Sequence, residues 1–132
     1  MTDRELIQAA EEASKNAYAP YSGFAVGAAL ECTDGTVFTG CSVETAVYGC
    51  ALCAEQAAVA EAVGGGKRSF RRIAIVSPSG KEYSMPCGSC RQMLSEFSPE
   101  MEVLAVRGDG RYVSYALDEL LFHSYNRDNL QR

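Results

Sequence analysis

Met101-Glu102-Val103-Leu104-Ala105-Val106-Arg107-Gly108-Asp109-Gly110-Arg111-Tyr112-Val113-Ser114-Tyr115 contains two apolar runs, Met101 to Val106 and Arg111 to Tyr115, with only a few residues around Gly108-Asp109-Gly110 between them. A parallel crossover needs roughly a dozen residues or more, so these two runs pair antiparallel. Upstream, Cys87 to Phe97 places Cys90, Met93, Leu94 and Phe97 at i, i+3, i+4 and i+7, a short helix preceded by Pro86 and ended before Pro99. Arg72-Ile73-Ala74-Ile75-Val76, closed by Ser77-Pro78-Ser79-Gly80, reads as a central strand buried on both faces. Residues from about Tyr48 to Val63 are dominated by Ala and stop at Gly64-Gly65-Gly66, which predicts a helix with a small-residue surface. Phe24 to Cys32 and Thr36 to Cys41 flank Asp34-Gly35, the signal of a hairpin. At the start, Thr2 and Glu5 form a capping box, and Leu6, Ala10, Ala13 and Ala17 carry a helix to Pro20. The order is α-β-β-α-β-α-β-β with a short helical tail from Asp118, a layered α/β domain with helices packed on a mixed sheet.

At 132 residues the chain has room for a single domain, 1–132, and its 47% hydrophobic and 22% charged residues are ordinary globular proportions. Twelve Lys and Arg against 17 Asp and Glu give a net charge of −5, the opposite of what a chain that neutralises nucleic-acid phosphates needs. No stretch approaches the roughly 20 apolar residues of a membrane span. Met-Thr-Asp-Arg-Glu has neither the basic end nor the apolar run of a signal peptide, so the expected compartment is the cytoplasm. In that reducing compartment the six cysteines are metal ligands, nucleophiles or small buried apolar residues.

Their spacing separates the three. Cys53-Ala54-Glu55 and Pro86-Cys87-Gly88-Ser89-Cys90 each lie at a helix start, where free amides and the helix dipole favour thiolate over thiol. Thiolates from Cys53, Cys87 and Cys90 make a tetrahedral Zn2+ site with one corner open to water, the layout of a catalytic zinc. Glu55, two residues from a ligand, reaches that water without joining the coordination sphere and can move protons. Three thiolates on Zn2+ leave a net negative charge, which Arg91 is expected to offset by donating to a ligand sulfur. Two other readings of the cysteines exist. Cys50, Cys53, Cys87 and Cys90 could form a structural four-cysteine clip, although the 33 residues from 54 to 86 exceed the usual gap of roughly 15 to 20. Cys87 and Cys90 could be a redox pair, although no thioredoxin-like βαβ unit leads into them. Cys32 and Cys41 fall in expected strands and read as buried apolar residues, and Cys50 is read as structural. His123, the single histidine, receives no role.

Cys-x-Glu followed by Pro-Cys-x-x-Cys resembles the signature of the zinc deaminases, in which the Glu is the acid/base. Most of the chain is similar to the small bacterial-type cytidine deaminases: Tyr18-Ala19-Pro20-Tyr21-Ser22, Phe24-Ala25-Val26-Gly27-Ala28-Ala29-Leu30, Gly40-Cys41, Val43-Glu44, Tyr48, Cys53-Ala54-Glu55, Pro86-Cys87-Gly88-Ser89-Cys90-Arg91-Gln92 and Glu119-Leu120-Leu121 match. The resemblance implies a three-layer α/β/α fold around a mixed five-stranded sheet with its last two strands antiparallel. It implies zinc-dependent hydrolytic deamination of cytidine and 2′-deoxycytidine in pyrimidine salvage, by a homotetramer with shared active sites. It also implies that Phe24 contacts the pyrimidine, that Glu44 binds a ribose hydroxyl, that the Ala54 backbone meets the base, and that Tyr125 reaches into a neighbouring subunit's site.

Departures from the family pattern fall at the sugar end and around the metal. Ser42-Val43-Glu44-Thr45 replaces Asn-x-Glu-Asn, and the Ser42 hydroxyl lacks the donor-acceptor pair of the amide. Gln56 stands where three-cysteine members often have Arg, and Phe122 where a Pro is usual. The altered sugar end makes a modified cytosine nucleoside or blasticidin S the alternative substrate. The related polynucleotide deaminases resemble a parallel arrangement of the last strands, unlike the antiparallel pair expected here. From another class, the alternative is a non-catalytic four-cysteine zinc module.

Overall fold

The computed structural model describes residues 1–130, in the order α1 (Asp3–Ser14), β1 (Gly27–Cys32), β2 (Val37–Cys41), α2 (Ala54–Gly64), β3 (Phe70–Val76), α3 (Gly88–Phe97), β4 (Glu102–Val106), β5 (Tyr112–Ala116) and α4 (Leu117–Leu120), with short 3-10 turns at Tyr48–Cys50 and Arg127–Leu130. The strands form one sheet in the order β2-β1-β3-β4-β5, so β3 is central. β1 is antiparallel to both β2 and β3, β3 and β4 are parallel with α3 in their crossover, and β4 and β5 are antiparallel. The hairpin expected across Gly108-Asp109-Gly110 therefore forms, with Gly110 at φ 91° in its turn.

One helix covers one face and two cover the other. Thr2 and Glu5 close the capping box of α1: the Glu5 amide donates to Thr2 Oγ1 at 3.1 Å and the Thr2 amide to Glu5 Oε1 at 2.9 Å. Leu6, Ile7 and Ala10 of α1 pack on Ala29, Ala74, Val76, Leu104 and Val106. On the opposite face Ala54, Ala58 and Ala62 of α2 and Leu94 of α3 pack on Ala28, Leu30, Ile73, Ile75 and Val103. At about 1.5–3 kcal/mol for each large aliphatic side chain, these two layers supply most of the driving force for the fold. The residues alternating along β1 and β3 thus face two different helical layers, which explains their uninterrupted apolar character.

Three boundaries differ from expectation, the two helical ones for one physical reason. α1 ends at Ser14 rather than near Pro20, because Tyr18 leaves the helix to pair with β2's extension: its amide donates to the Ser42 carbonyl at 3.0 Å, and its carbonyl accepts from the Glu44 amide at 2.8 Å. The Ala-rich helix begins at Ala54 rather than near Tyr48, because Leu52 and Val43 exchange backbone hydrogen bonds of 2.8 and 2.9 Å. The first strand begins at Gly27, leaving Phe24 in the preceding loop. At the two helix boundaries, pairing with a distant segment outweighs local helix preference.

A buried charge ties α1 to the sheet. Glu31 of β1 is fully buried and accepts from Arg72 Nε of β3 at 2.7 Å, while the rest of the guanidinium reaches Asp3 and the Met1 carbonyl. The hydrogen bond to Glu31 and the charges of Glu31 and Asp3 raise the Arg72 pKa further, so the guanidinium stays charged.

Candidate active site

Two helix N-termini meet at the edge of the second layer. Cys53 is the N-cap of α2, Cys87 is the N-cap of α3, and Cys90 lies in the first turn of α3. Their three Sγ atoms lie within 4.8 Å of one another, with Cys53 and Cys87 4.0 Å apart and Cys87 and Cys90 3.6 Å apart. Three sulfurs bound tetrahedrally at roughly 2.3 Å from one zinc would be about 3.8 Å apart, so the geometry fits that ion. Cys50 is exposed on the 3-10 turn and outside this cluster, which removes the four-cysteine clip and corrects the reading of Cys50 as a structural residue. Cys32 is buried as expected, and Cys41 is half-buried.

The local electrostatics differ among the three thiols. Burial pushes the Cys87 thiol up, but the Cys90 and Ser89 amides and the two neighbouring thiols outweigh it and hold Cys87 below the ordinary thiol value. Burial dominates at Cys53 and Cys90 and pushes both upward, with the Glu55 charge adding to the effect. A cation among them would reverse that cost, since a thiolate ligand is stabilised directly by the charge it binds. The start of α2 is fixed by Gln56, whose Oε1 accepts from the Cys53 amide at 3.2 Å. Gln56 therefore orients a ligand from a position where sequence comparison pointed only to a missing charge.

Glu55 is only 5% exposed, and burial holds its carboxyl above the usual carboxylate range, an effect partly opposed by the Cys90 thiol facing it. A buried carboxyl with a raised pKa can both take up and release a proton near neutrality. It lines a cavity of about 290 Å³ together with Cys53, Cys87, Ala54, Phe24, Ser42 and Glu44. Residues singled out in the sequence on four separate segments thus converge on one opening. Phe24 is 45% exposed, so it belongs to the cavity wall and not to the core.

Part of the cavity lining is polar and already partly hydrogen-bonded. Glu44 Oε1 accepts from the Tyr21 and Ser22 amides at 3.0 and 3.1 Å, and Oε2 accepts from the Ser22 hydroxyl at 2.5 Å. The Ser22 hydroxyl and then its amide hold the Glu44 pKa below the ordinary value, so Glu44 is an anion at neutral pH. Ser42 Oγ accepts from the Val26 amide at 3.1 Å, which leaves its O–H as a donor. The loop amides of Tyr21 and Ser22 join the site although sequence reasoning assigns them no role beyond their place in the family-like stretch Tyr18-Ala19-Pro20-Tyr21-Ser22. Ile75, Leu52, Ser84 and Met85 also line the cavity.

Two expected residues lie elsewhere. Arg91 points its Nε at the Pro86 carbonyl, 2.7 Å away, and its Nη1 at the Leu120 carbonyl, 2.8 Å away. Both hydrogen bonds go to backbone, in place of the expected one to a ligand sulfur. The reason is the fold: α4 brings a free C-terminal carbonyl beside α3, and the guanidinium satisfies it. Tyr125 is 57% exposed and lies outside the cavity of its own chain, with its carbonyl accepting from Gln92 Nε2 at 2.8 Å.

A mixed sheet with a trio of cysteine sulfurs at two helix starts and a buried carboxyl beside them defines a metal-centred hydrolytic site of the deaminase type. The model of the cytidine and deoxycytidylate deaminase zinc-binding region matches residues 1–106, and the chain belongs to that family. It is 37% identical over 131 residues to the cytidine deaminase of Sporosarcina psychrophila, covering 98% of this chain and 96% of that one. The crystal structure of cytidine deaminase from Burkholderia pseudomallei superposes with a TM-score of 0.91 at 42% identity, covering 95% of this chain and all of that one. A blasticidin-S deaminase of Bacillus cereus is more distant, at 29% identity over 133 residues, 96% of this chain and 94% of that one. Among the described residues, no helix is long and apolar enough to cross a membrane.

Proposed function

We propose that the chain is a zinc-dependent cytidine deaminase, a single catalytic domain that converts cytidine and 2′-deoxycytidine to the uridines with release of ammonia, in pyrimidine salvage in the cytoplasm. The observation that carries this is the cluster of the Cys53, Cys87 and Cys90 sulfurs, of which Cys53 and Cys87 line one cavity together with the buried Glu55, Phe24 and Glu44. A zinc ion on the three sulfurs supplies the Lewis acidity that makes water a nucleophile near neutral pH. Glu55 takes a proton from that water and delivers it to the ring nitrogen beside the amine-bearing carbon. The water oxygen bonds to that carbon, Glu55 carries the oxygen's remaining proton to the amine, and the carbon–nitrogen bond breaks, so that water is consumed and ammonia released. Phe24 stacks on the pyrimidine, the Ala54 backbone meets the base, and Glu44 and the Ser42 hydroxyl hold the sugar. Arg91 acts through backbone, holding the Pro86 carbonyl immediately before the ligand Cys87.

The same reading takes the enzyme as a homotetramer with shared sites. Phe122 at 88% exposure and Tyr125 at 57% are large rings exposed on the tail, available to contact a neighbouring subunit. Tyr125 then completes a neighbouring subunit's cavity, and sedimentation analysis should find a tetramer. The shortened Ser42 side chain favours one second reading, a modified nucleoside such as blasticidin S. Ammonia release from cytidine, 2′-deoxycytidine and blasticidin S decides between them. Turnover of the first two supports the proposal, and a strong preference for the third replaces it.

A further inference from the structure

Ser84 presents the one buried side-chain oxygen or nitrogen that lacks a hydrogen-bond partner among the described residues. A hydroxyl left unpaired in the interior is destabilising, so its persistence calls for a partner that is not part of the chain. Ser84 lines the same cavity as Glu55 and Cys87. Its backbone is fixed from behind, the Ser84 amide donating to the Val106 carbonyl at the end of β4 at 3.0 Å. It lies three residues before the ligand Cys87, so the chain can place it at most about 10 Å from that residue. Ser84 therefore lies on the same stretch of cavity wall as Cys87.

We infer that the Ser84 hydroxyl accepts a hydrogen bond from the exocyclic amine of the substrate base and so helps to select aminopyrimidines. This rests on the deaminase reading. In that reading the Ala54 backbone meets the base, and Glu55 serves the ring nitrogen first and the amine only as it departs, which leaves the amine of the bound substrate without a partner. A hydroxyl oxygen can accept from an amine N–H while its own proton turns elsewhere.

The test uses the zinc-loaded enzyme and two ribonucleosides, cytidine and the pyrimidin-2-one analogue that lacks the amine. Ser84→Val and Ser84→Thr have nearly equal volumes and differ in the hydroxyl, so any strain from the larger side chain is common to both. The Val variant should lose about three- to tenfold in kcat/KM for cytidine relative to the Thr variant, the size of one neutral hydrogen bond. The inhibition constant of the amine-free analogue should be the same in both. Equal losses for both ligands, or no difference between the variants, overturn the inference; Ser84→Ala with unchanged zinc content repeats the comparison without added bulk. If the wild-type enzyme releases no ammonia from cytidine, it is the deaminase reading that fails, and this inference fails with it.

Discussion

Gly40 of β2 lies so close to Ala54 that a Cβ on the glycine would stand 2.4 Å from the Ala54 carbonyl oxygen and 2.5 Å from the Ala58 amide. The obstruction is helix backbone, which cannot yield as a flexible side chain would. Because α2 opens at this point, the absence of a side chain at residue 40 sets the position of Cys53 and Glu55 as well as the helix.

Gly40→Ala should therefore push the start of α2 away from the sheet. Overpacking of this kind costs about 1–3 kcal/mol, and the melting temperature should fall accordingly. The zinc content per chain should fall with it, which metal analysis of the purified variant would show. An unchanged melting temperature and full zinc content would mean that the helix can shift without disturbing the cluster.

Arg72 is the partner of a buried carboxylate, and its removal leaves Glu31 charged in the interior. Arg72→Met should destabilise the fold by about 3–5 kcal/mol, measured by urea unfolding. Adding Glu31→Leu should recover much of the loss, since the cost comes from the unpaired charge.

Glu55→Gln keeps the shape of the side chain and removes its proton transfer. Zinc content should be unchanged, and turnover on cytidine should fall by about 100- to 10,000-fold. Turnover like that of the wild-type enzyme would assign the proton transfers to another group.

Cys87→Ala should lose the metal, and Cys50→Ala should retain it at full stoichiometry. X-ray absorption on the wild-type enzyme should count three sulfur neighbours. A fourth sulfur, lost in Cys50→Ala, would contradict the separation of Cys50 from the cluster.

Much of this architecture was legible in local patterns. The capping box of Thr2 and Glu5, the short link at Gly108-Asp109-Gly110 and the apolar run from Arg72 to Val76 depend on neighbours in sequence, and each element formed where its pattern indicated. The thiolate trio was legible because Cys-x-Glu and Pro-Cys-x-x-Cys each mark a helix start. The boundaries of α1 and α2 were not, since Tyr18 and Leu52 leave helical conformation to bond with residues 42–44. Arg91 was misread for a related reason: a guanidinium beside a metal ligand in sequence bonds to whichever acceptor the fold brings closest, here the Leu120 carbonyl.

The amino-acid sequence alone determined the order of elements, the chemistry of the metal ligands and the presence of a carboxylate beside them, because spacing along a helix or strand sets which groups are neighbours within one element. Only the tertiary structure decided that Cys50 stands apart from the other sulfurs, that Gln56 and Arg91 brace ligands through backbone, and that Ser84 faces its surroundings without a partner. Those outcomes depend on the approach of segments tens of residues apart, where the packing of β2, α2, α3 and α4 fixes distances that no local pattern encodes.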